Sequence, residues 1–432
     1  MTELPNYIRK SLRSIAYMLL PLLTGNLAQS QPPPDRTLVL SHQTIADTQL
    51  LEIEDDSKVR LNIDNKPTSL SFDELCRWGT HPIPQRFPMA ILVDGSCLAI
   101  TSIERQKDQF VLQSSVWEDV RVPESMLRAV VVSPTGDSET WFSLVDRVTN
   151  STGRNDQLLL GNRGWIDGIL QWPEVTTEIL QPNDSQQVRI NNQDAVFPVK
   201  EIDAVLFSPV LTPMTNPKNA GRVGWRDGSL LVCSQWRIKQ PGNYIELTLH
   251  CGLQLKSLDH PGILVQSITS LSNRPQSIRF LSDMEASSYK HVDWLTTKWP
   301  LAKDRDLLGR RLLLVSNSRE TGTVEKGLAM HATSQAAYRW DKSPSQLLAS
   351  VGLATPAEPG LPQPGQAVAK VLGLKAGKLE PLYTSPLLTA DSSPDNVSVS
   401  LAGVELIVLI VDAGPGGTLG DHVLWFDIRI QK

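Results

Sequence analysis

The sequence predicts an all-β protein. Apolar and polar residues alternate along most of the chain, helical periodicity is confined to short pieces, and Pro (30) and Gly (27) recur between the alternating segments, as turns between short strands require. "VRLNIDN" (59–65), "QFVLQSSV" (109–116), "QVRINNQ" (187–193) and "YIELTLHCGLQL" (244–255) read as half-buried strands, their side chains pointing to opposite faces in turn. The pieces with helical spacing are "SFDELCRW" (71–78) and "DRDLLGRRL" (304–312).

At the N-terminus, Arg9, Lys10 and Arg13 precede the apolar run "IAYMLLPLL" (15–23), and Ala28 and Ser30 follow as an A-x-S cleavage signal. That layout predicts a secretory signal peptide over residues 1–30, because an apolar core of about ten residues is too short to span a bilayer. A retained membrane tether is the competing reading, and no later segment is long and apolar enough to span. The expected location is the periplasm, the cell surface or the outside. Export makes Cys76, Cys97, Cys233 and Cys251 eligible for disulfides; Cys233 and Cys251, on consecutive strand-like runs, are the best pair, and four buried free thiols are the alternative. The 432 residues carry a net charge of only −5, and Lys and Arg are scattered, so nucleic acid is not an expected partner.

The middle of the chain repeats itself. "MAILVDGSCLAITSIERQKDQFVLQSSVWEDVRVPESMLRAVVVSP" (89–134) and the stretch from "QLLLGNRGWIDGILQWP" to "DAVLFSP" (157–209) share an order: an apolar strand, a Gly turn, a second strand, then a strand ending at a Pro. Val122-Pro123-Glu124 and Phe197-Pro198-Val199 occupy matching places. With looser copies before and after, the repeat units are placed at 37–80, 88–137, 156–212 and 220–277, ahead of a C-terminal module at 278–432. Each would be a small antiparallel barrel or meander, too small to stand alone, so neighbours should pack together. Over residues 37–275 the pattern resembles repeats in exported proteins of planctomycete-type bacteria, a resemblance that carries no activity.

From about residue 278 the texture changes. "EKGLAMHATS" (325–334), "LLASVGL" (347–353), "PLYTSPLL" (381–388) and "VELIVLIVDAGPGGTLGDHVLWFDIRI" (404–430) together resemble, in order, the signature of the NPCBM carbohydrate-binding module found beside glycoside hydrolase family 98. The resemblance implies a galactose-binding-like β-sandwich (jelly roll) that binds glycans without cleaving them. The sequence departs from the family in three places: a Pro-rich insertion in "VGLATPAEPGLPQPG", "LKAGKLEPLYTS" before the Leu-Tyr strand, and "WFDI", with Asp427 and Ile428, in the last strand. The changed loops lie where such sandwiches often carry ligand contacts.

His331 poses the functional question. No nucleophile–histidine motif or paired histidine surrounds it, so catalysis and metal binding recede behind a hydrogen bond to nearby backbone or to the acidic closing segment, with a ligand contact as the third reading. A sugar site needs a flat apolar platform and planar polar groups. Trp294, Trp299, Tyr338, Trp340 and Tyr383 could supply the first, and His331, Arg339, Asp421 and His422 the second. The chosen carbohydrate-binding set is His331, Arg339, Trp340, Tyr383, Asp421 and His422. Trp425, alternating with Leu424 and Phe426, is expected in the core. The Gly-rich turn 413–420 leads into a strand rather than a helix and so is no phosphate cradle. Asp412 and Asp421 beside it are the candidates for a structural calcium ion, with local Asx-turn bonding as the simpler account. The densest acidic cluster, "EIEDD" (52–56), reads as a solvated turn, so no catalytic residue and no enzyme activity is expected. The expected partner is a glycan or polysaccharide. The alternative is a structural or protein-interaction component of the cell envelope, with another envelope protein as its partner.

Overall fold

The computed structural model describes residues 36–54, 58–81, 88–133, 138–161, 164–172, 177–178, 187–190, 195–215, 217, 220–239, 244–258, 265–292, 298–316, 319–354, 365–390 and 392–431. The expected signal peptide, Trp294 and the Pro-rich loop lie outside the described residues. The four stretches read from the sequence as repeat units all contribute strands to one sheet, which has 14 strands among the described residues. It runs from Gly164–Gly168 through the centre to Leu38–Leu40 and Thr44–Ile45. The closing strands of the second and third units lie side by side at its middle, antiparallel, with Val130 opposite Val205. Both are entered alike: Val120–Pro123 leads into a 3-10 turn at Glu124–Met126, and Ala195–Pro198 into one at Val199–Glu201. Proline ends each preceding strand, because it offers no N–H to continue the ladder. The inward faces of these units share a single apolar core, in which Trp117 and Trp225 meet edge to face at 5.2 Å.

The central strands Met89–Leu92 and Leu127–Val131 are buried along their whole length. A strand buried on both faces needs a second layer, and here it is a helix, Ser138–Asn150, that the alternation rule did not anticipate. Its apolar residues Trp141, Leu144, Val145 and Val148 fall at helical spacing on one face, with Glu139 in the first turn and Arg147 in the last, as the helix dipole favours. That face packs on Met89, Ile91, Ala129, Val131, Ala204 and Leu206. The two segments given helical spacing are not helices. In "SFDELCRW" a turn precedes the strand Leu75–Gly79, which is sandwiched between two neighbours of the sheet, so tertiary pairing overrides local spacing. In "DRDLLGRRL", Asp306 Oδ1 accepts the N–H groups of Leu308 (2.9 Å) and Arg310 (2.8 Å), folding the chain around a carboxylate, and Gly309 turns it at φ +82.

Residues beyond 278 form two facing six-stranded sheets. One contains Gly327–His331, His422–Gln431, Gln346–Leu353 and Asp395–Ser400; the other contains Ser288–His291, Ser334–Arg339, Leu406–Ala413 and Gln366–Lys375. This is the β-sandwich implied by the family resemblance. Gln366–Lys375 alternates half-buried and buried residues almost throughout, as one sandwich face requires. His422–Gln431 is buried nearly end to end. Val423, Trp425, Ile428 and Ile430 enter the sandwich core, while Leu424 and Phe426 join a second cluster with Leu312 and Val324. The step from Trp425 to Ile428 breaks the two-residue period. A register shift against Gln346–Leu353 and a positive φ of 49° at Asp427 provide the extra residue of a bulge.

That bulge explains the "WFDI" departure. It turns Asp427 outward to accept a hydrogen bond from Arg77 Nε (3.0 Å) in the first repeat unit. Two residues on, fully buried Arg429 donates through Nε and Nη2 to the Leu40 carbonyl (3.0 and 2.6 Å) and through Nη2 to the Gln43 carbonyl (3.1 Å). Arg222 pairs with Glu325, and His81 bridges to Thr323. The sandwich is thus joined to the repeats by buried polar contacts, and the described residues from 36 onward make one compact unit. All four cysteines are free, so the expected Cys233–Cys251 bridge is absent. Cys233 lies in a strand opposite Leu249, whereas Cys251 sits in the following turn with its N–H held by Asp94 Oδ2 at 2.9 Å.

Candidate functional site

Gly327–His331 and His422–Gln431 are paired so that His331 stands opposite His422 at one end of the sandwich. Ser288–His291, in the other sheet, ends at His291, whose Nε2 lies 3.2 Å from His331 Nδ1. Trp299 closes the group. Its indole stacks on the His331 ring with centroids 5.3 Å apart and 11° between planes, and meets His422 edge-on at 5.0 Å. The Tyr289 hydroxyl donates to the Trp299 carbonyl at 3.1 Å, fixing the loop that carries the indole. His331 is buried, while His291, Trp299 and His422 are half-buried.

The electrostatics follow from this packing. His331 Nδ1 hydrogen-bonds the Ala332 carbonyl. A carbonyl can only accept, so the His331 proton sits on Nδ1, while the Trp299 backbone N–H donates to His291 Nδ1 at 3.5 Å. Burial lowers the His331 pKa to about 4; the bond to Ala332 opposes the shift, and His422 and His291 add to it. Burial also lowers the pKa of His422. His331 and His422 are therefore neutral, hydrogen-bonding surfaces at physiological pH. Asp421, immediately before His422, has no exposed surface. Its Oδ1 accepts the Gln366 N–H (2.7 Å), its backbone carbonyl accepts the Ala332 N–H (3.2 Å), and its Oδ2 is buried without a partner. Burial raises its pKa to about 6, against hydrogen bonds from Gln366 and Gly414.

Of the six residues chosen from the sequence, the structure brings His331, Asp421 and His422 together. Arg339 and Trp340 fall at the far end of the strand Ser334–Arg339, about 17 Å away at 3.4 Å per residue. Trp340 is buried, and its Nε1 donates to Ser345 Oγ at 3.0 Å; Arg339 is exposed. The Tyr383 hydroxyl donates to Asp395 Oδ2 at 2.5 Å between edge strands of the two sheets. Tyr338 and Trp425 are core residues with no exposed surface. His291 was missed because its link to His331 spans 40 residues and leaves no local mark. Trp299 was visible as an aromatic platform, but nothing in its neighbourhood predicted the stacking.

The calcium candidates fit poorly. Asp412 Oδ2 is held by Lys370 Nζ at 2.7 Å, and Asp421 offers one unpartnered oxygen. Among the described residues, no three His, Cys, Asp or Glu side chains are grouped to hold a metal ion. Calcium takes six to eight oxygens, more than Asp412 and Asp421 offer.

Among solved structures, the chain is similar to the CBM51 module of Clostridium perfringens GH95 in complex with methyl-galactose, at 22% identity over 36% of this chain and 99% of that one, with TM-score 0.30. Tandem CBM51 modules of a family 98 glycoside hydrolase from Streptococcus pneumoniae align at 12% identity over 91% and 96% of the two chains, with TM-score 0.31. The CBM51-2 and INT domains of Clostridium perfringens ZmpB align at 19% identity over 44% of this chain and 36% of theirs, with TM-score 0.32, so this chain spans about a third of that structure's length. No curated protein matches the chain. The segments quoted from the sequence all lie inside the region that a family model identifies, and residues 278–431 match the NPCBM/NEW2 domain.

Proposed function

We propose that the protein binds a glycan through its NPCBM/NEW2 domain, at the sandwich end where Trp299 meets His291, His331 and His422. The stacked indole carries this reading. A half-buried aromatic face offers the C–H side of a sugar ring a flat apolar surface, and imidazole nitrogens at its edge can donate to or accept from hydroxyls. His331 acts behind the surface, holding Trp299 by stacking and His291 by an edge-to-face ring contact. Asp421 belongs to the same end as a buried support. Arg339, Trp340 and Tyr383 lie outside this grouping.

In this reading the protein is exported and non-enzymatic. Within the acidic cluster at residues 52–56, Glu52 lies 3.9 Å from Arg60 and Glu54 accepts Ser69 Oγ at 2.8 Å, so those two carboxylates are engaged rather than set across a cleft. Residues 55 and 56 of that cluster lie outside the described set. The second reading, a structural or protein-interaction component of the envelope, is favoured by the burial of Tyr338, Trp340 and Trp425, which removes three aromatics from any ligand surface.

The test is binding of the full chain to an array of immobilised glycans, with and without calcium, for wild type and Trp299→Ala. Loss of one stacking face worth about 1.5–3 kcal/mol predicts at least a tenfold weaker signal in the variant. A folded wild-type chain that binds nothing, or a variant that binds as well as wild type, would overturn the proposal. Dependence on calcium would bring Asp412 and Asp421 back as ion ligands.

A further inference from the structure

Away from the histidine end, a cavity of about 650 Å³ lies where the large sheet, the helix Ser138–Asn150 and the strand Arg319–Val324 meet. Its walls carry five cations, Arg222, Arg274, Arg305, Arg311 and Lys326, against four carboxylates, Asp94, Asp146, Asp283 and Glu325. The pairing is uneven. Asp146 is shared between Arg305 (2.6 Å) and Arg311 (3.6 Å). Glu325 pairs with Arg222, and Lys326 is held by Asp283 at 2.6 Å and by Asp304 at 2.7 Å, so neither acid is left for the guanidiniums. Asp94's two oxygens accept the N–H groups of Ser96 and Cys251, each at 2.9 Å, and its charge acts on Arg222 with no ion pair among the described residues. Among the described residues, Arg274 is therefore left without a carboxylate partner.

Two guanidinium donors of the wall are unsatisfied. Arg311 Nε and Arg305 Nη1 are shielded from water and have no hydrogen-bond partner. Burial first, and then the charges of Arg274 and Arg311, lower the pKa of Arg222 to about 10. His81, also on the wall, is driven down to about 3 by burial and then by Arg222, Arg311 and Arg77, so it stays neutral and adds no charge. Guanidiniums repelling one another around a partly enclosed cavity, with one of them unpaired, make a site whose missing component is negative.

We propose that this cavity binds an oxyanion group, as phosphate, sulfate or the carboxylate of a small organic molecule, against Arg222, Arg274 and Arg311. Guanidinium forks match such groups with two parallel N–H donors, and a cavity of this size admits a ligand larger than a bare ion. The site is separate from the proposed glycan surface and stands or falls without it.

The test is isothermal titration of the full chain with sodium phosphate, sodium sulfate and sodium glucuronate, each against sodium chloride at matched ionic strength. The expected result is saturable binding of at least one oxyanion, weakened at least tenfold by Arg274→Gln and less by Arg274→Lys, which keeps the charge but not the fork. Saturation by phosphate or sulfate assigns the site to a tetrahedral oxyanion; saturation by glucuronate alone assigns it to an organic carboxylate. No binding beyond the chloride control, or equal binding by wild type and both variants, would overturn the proposal. Arg274 is half-buried and lies in no ion pair with a described residue, so its variants are expected to fold; a variant that does not leaves the wild-type titration to decide.

Discussion

Arg429→Met tests whether the sandwich is joined to the repeats as the buried contacts indicate. Methionine keeps most of the stem's volume and removes the guanidinium. The Leu40 carbonyl then loses both donors from Arg429, and the Asp427 carbonyl loses Nη1 at 3.1 Å. The Gln43 carbonyl keeps the Leu40 N–H at 2.8 Å. Two buried acceptors are left short, at about 1–3 kcal/mol each. Asp427 retains Arg77 at 3.0 Å but loses the second cation near it. Removing a buried charge also recovers part of its desolvation cost, which offsets some of the loss. The expected net destabilisation is about 2–4 kcal/mol. Urea unfolding followed by tryptophan fluorescence measures it, and hydrogen exchange at 38–43 and 426–431 locates it. Arg429→Lys should recover little, because one ammonium cannot reproduce the fork that spans Leu40 and Asp427. A loss below about 1 kcal/mol, or a gain, would show that desolvation outweighs the hydrogen bonds and that the junction does not depend on them.

Gly322→Ala should cost about 2–4 kcal/mol in thermal or urea unfolding, because a Cβ there would lie 2.8 Å from the His81 carbonyl at a φ of +144°; a neutral result would mean the bridge between the repeats and the sandwich can shift. Asp421 and His331 make opposite pH-dependent contributions. The folded-state pKa of Asp421, about 6, lies above its ordinary value of 3.8, so its stabilisation is present at low pH and lost as pH rises through 6. The His331 value, about 4, lies below 6.5, so its stabilisation is complete above 6.5 and lost as pH falls toward 4. Asp421→Asn removes the offsetting contribution, so its melting temperature should fall more steeply than that of wild type between pH 6.5 and 4, by about 1–3 kcal/mol in stability. Parallel profiles would show that Asp421 does not titrate in that window.

The strands were readable wherever one face is buried and the other wet, as in "YIELTLHCGLQL", because burial on one side imposes a period of two. The proline-ended strands of the repeats were readable for the same kind of local reason. The helix Ser138–Asn150 was not, since its apolar residues become a face only against a sheet layer that needs covering. Nor was "SFDELCRW", whose spacing fits a helix until pairing on both sides holds residues 75–79 extended. At the candidate site, His331 and His422 stood out from the family-like segments that contain them, whereas His291 and the stacking of Trp299 arise from strands distant in the chain. Arg339 and Trp340 were grouped with His331 because they are near in sequence. A strand carries near neighbours apart at more than 3 Å per residue, and that separated them.

By itself, the sequence determined the β class and the NPCBM-like segments, both of which depend on local patterns of burial and turn chemistry. Only the tertiary structure decided that the four units share one sheet and that a bulge turns Asp427 toward Arg77. It alone decided that Arg429 reaches across 389 residues to Leu40, and that four arginines from distant segments line one cavity. Those contacts depend on where separate strands stop and which edges meet, and chain folding sets that from burial summed over the whole core rather than from any one stretch of residues.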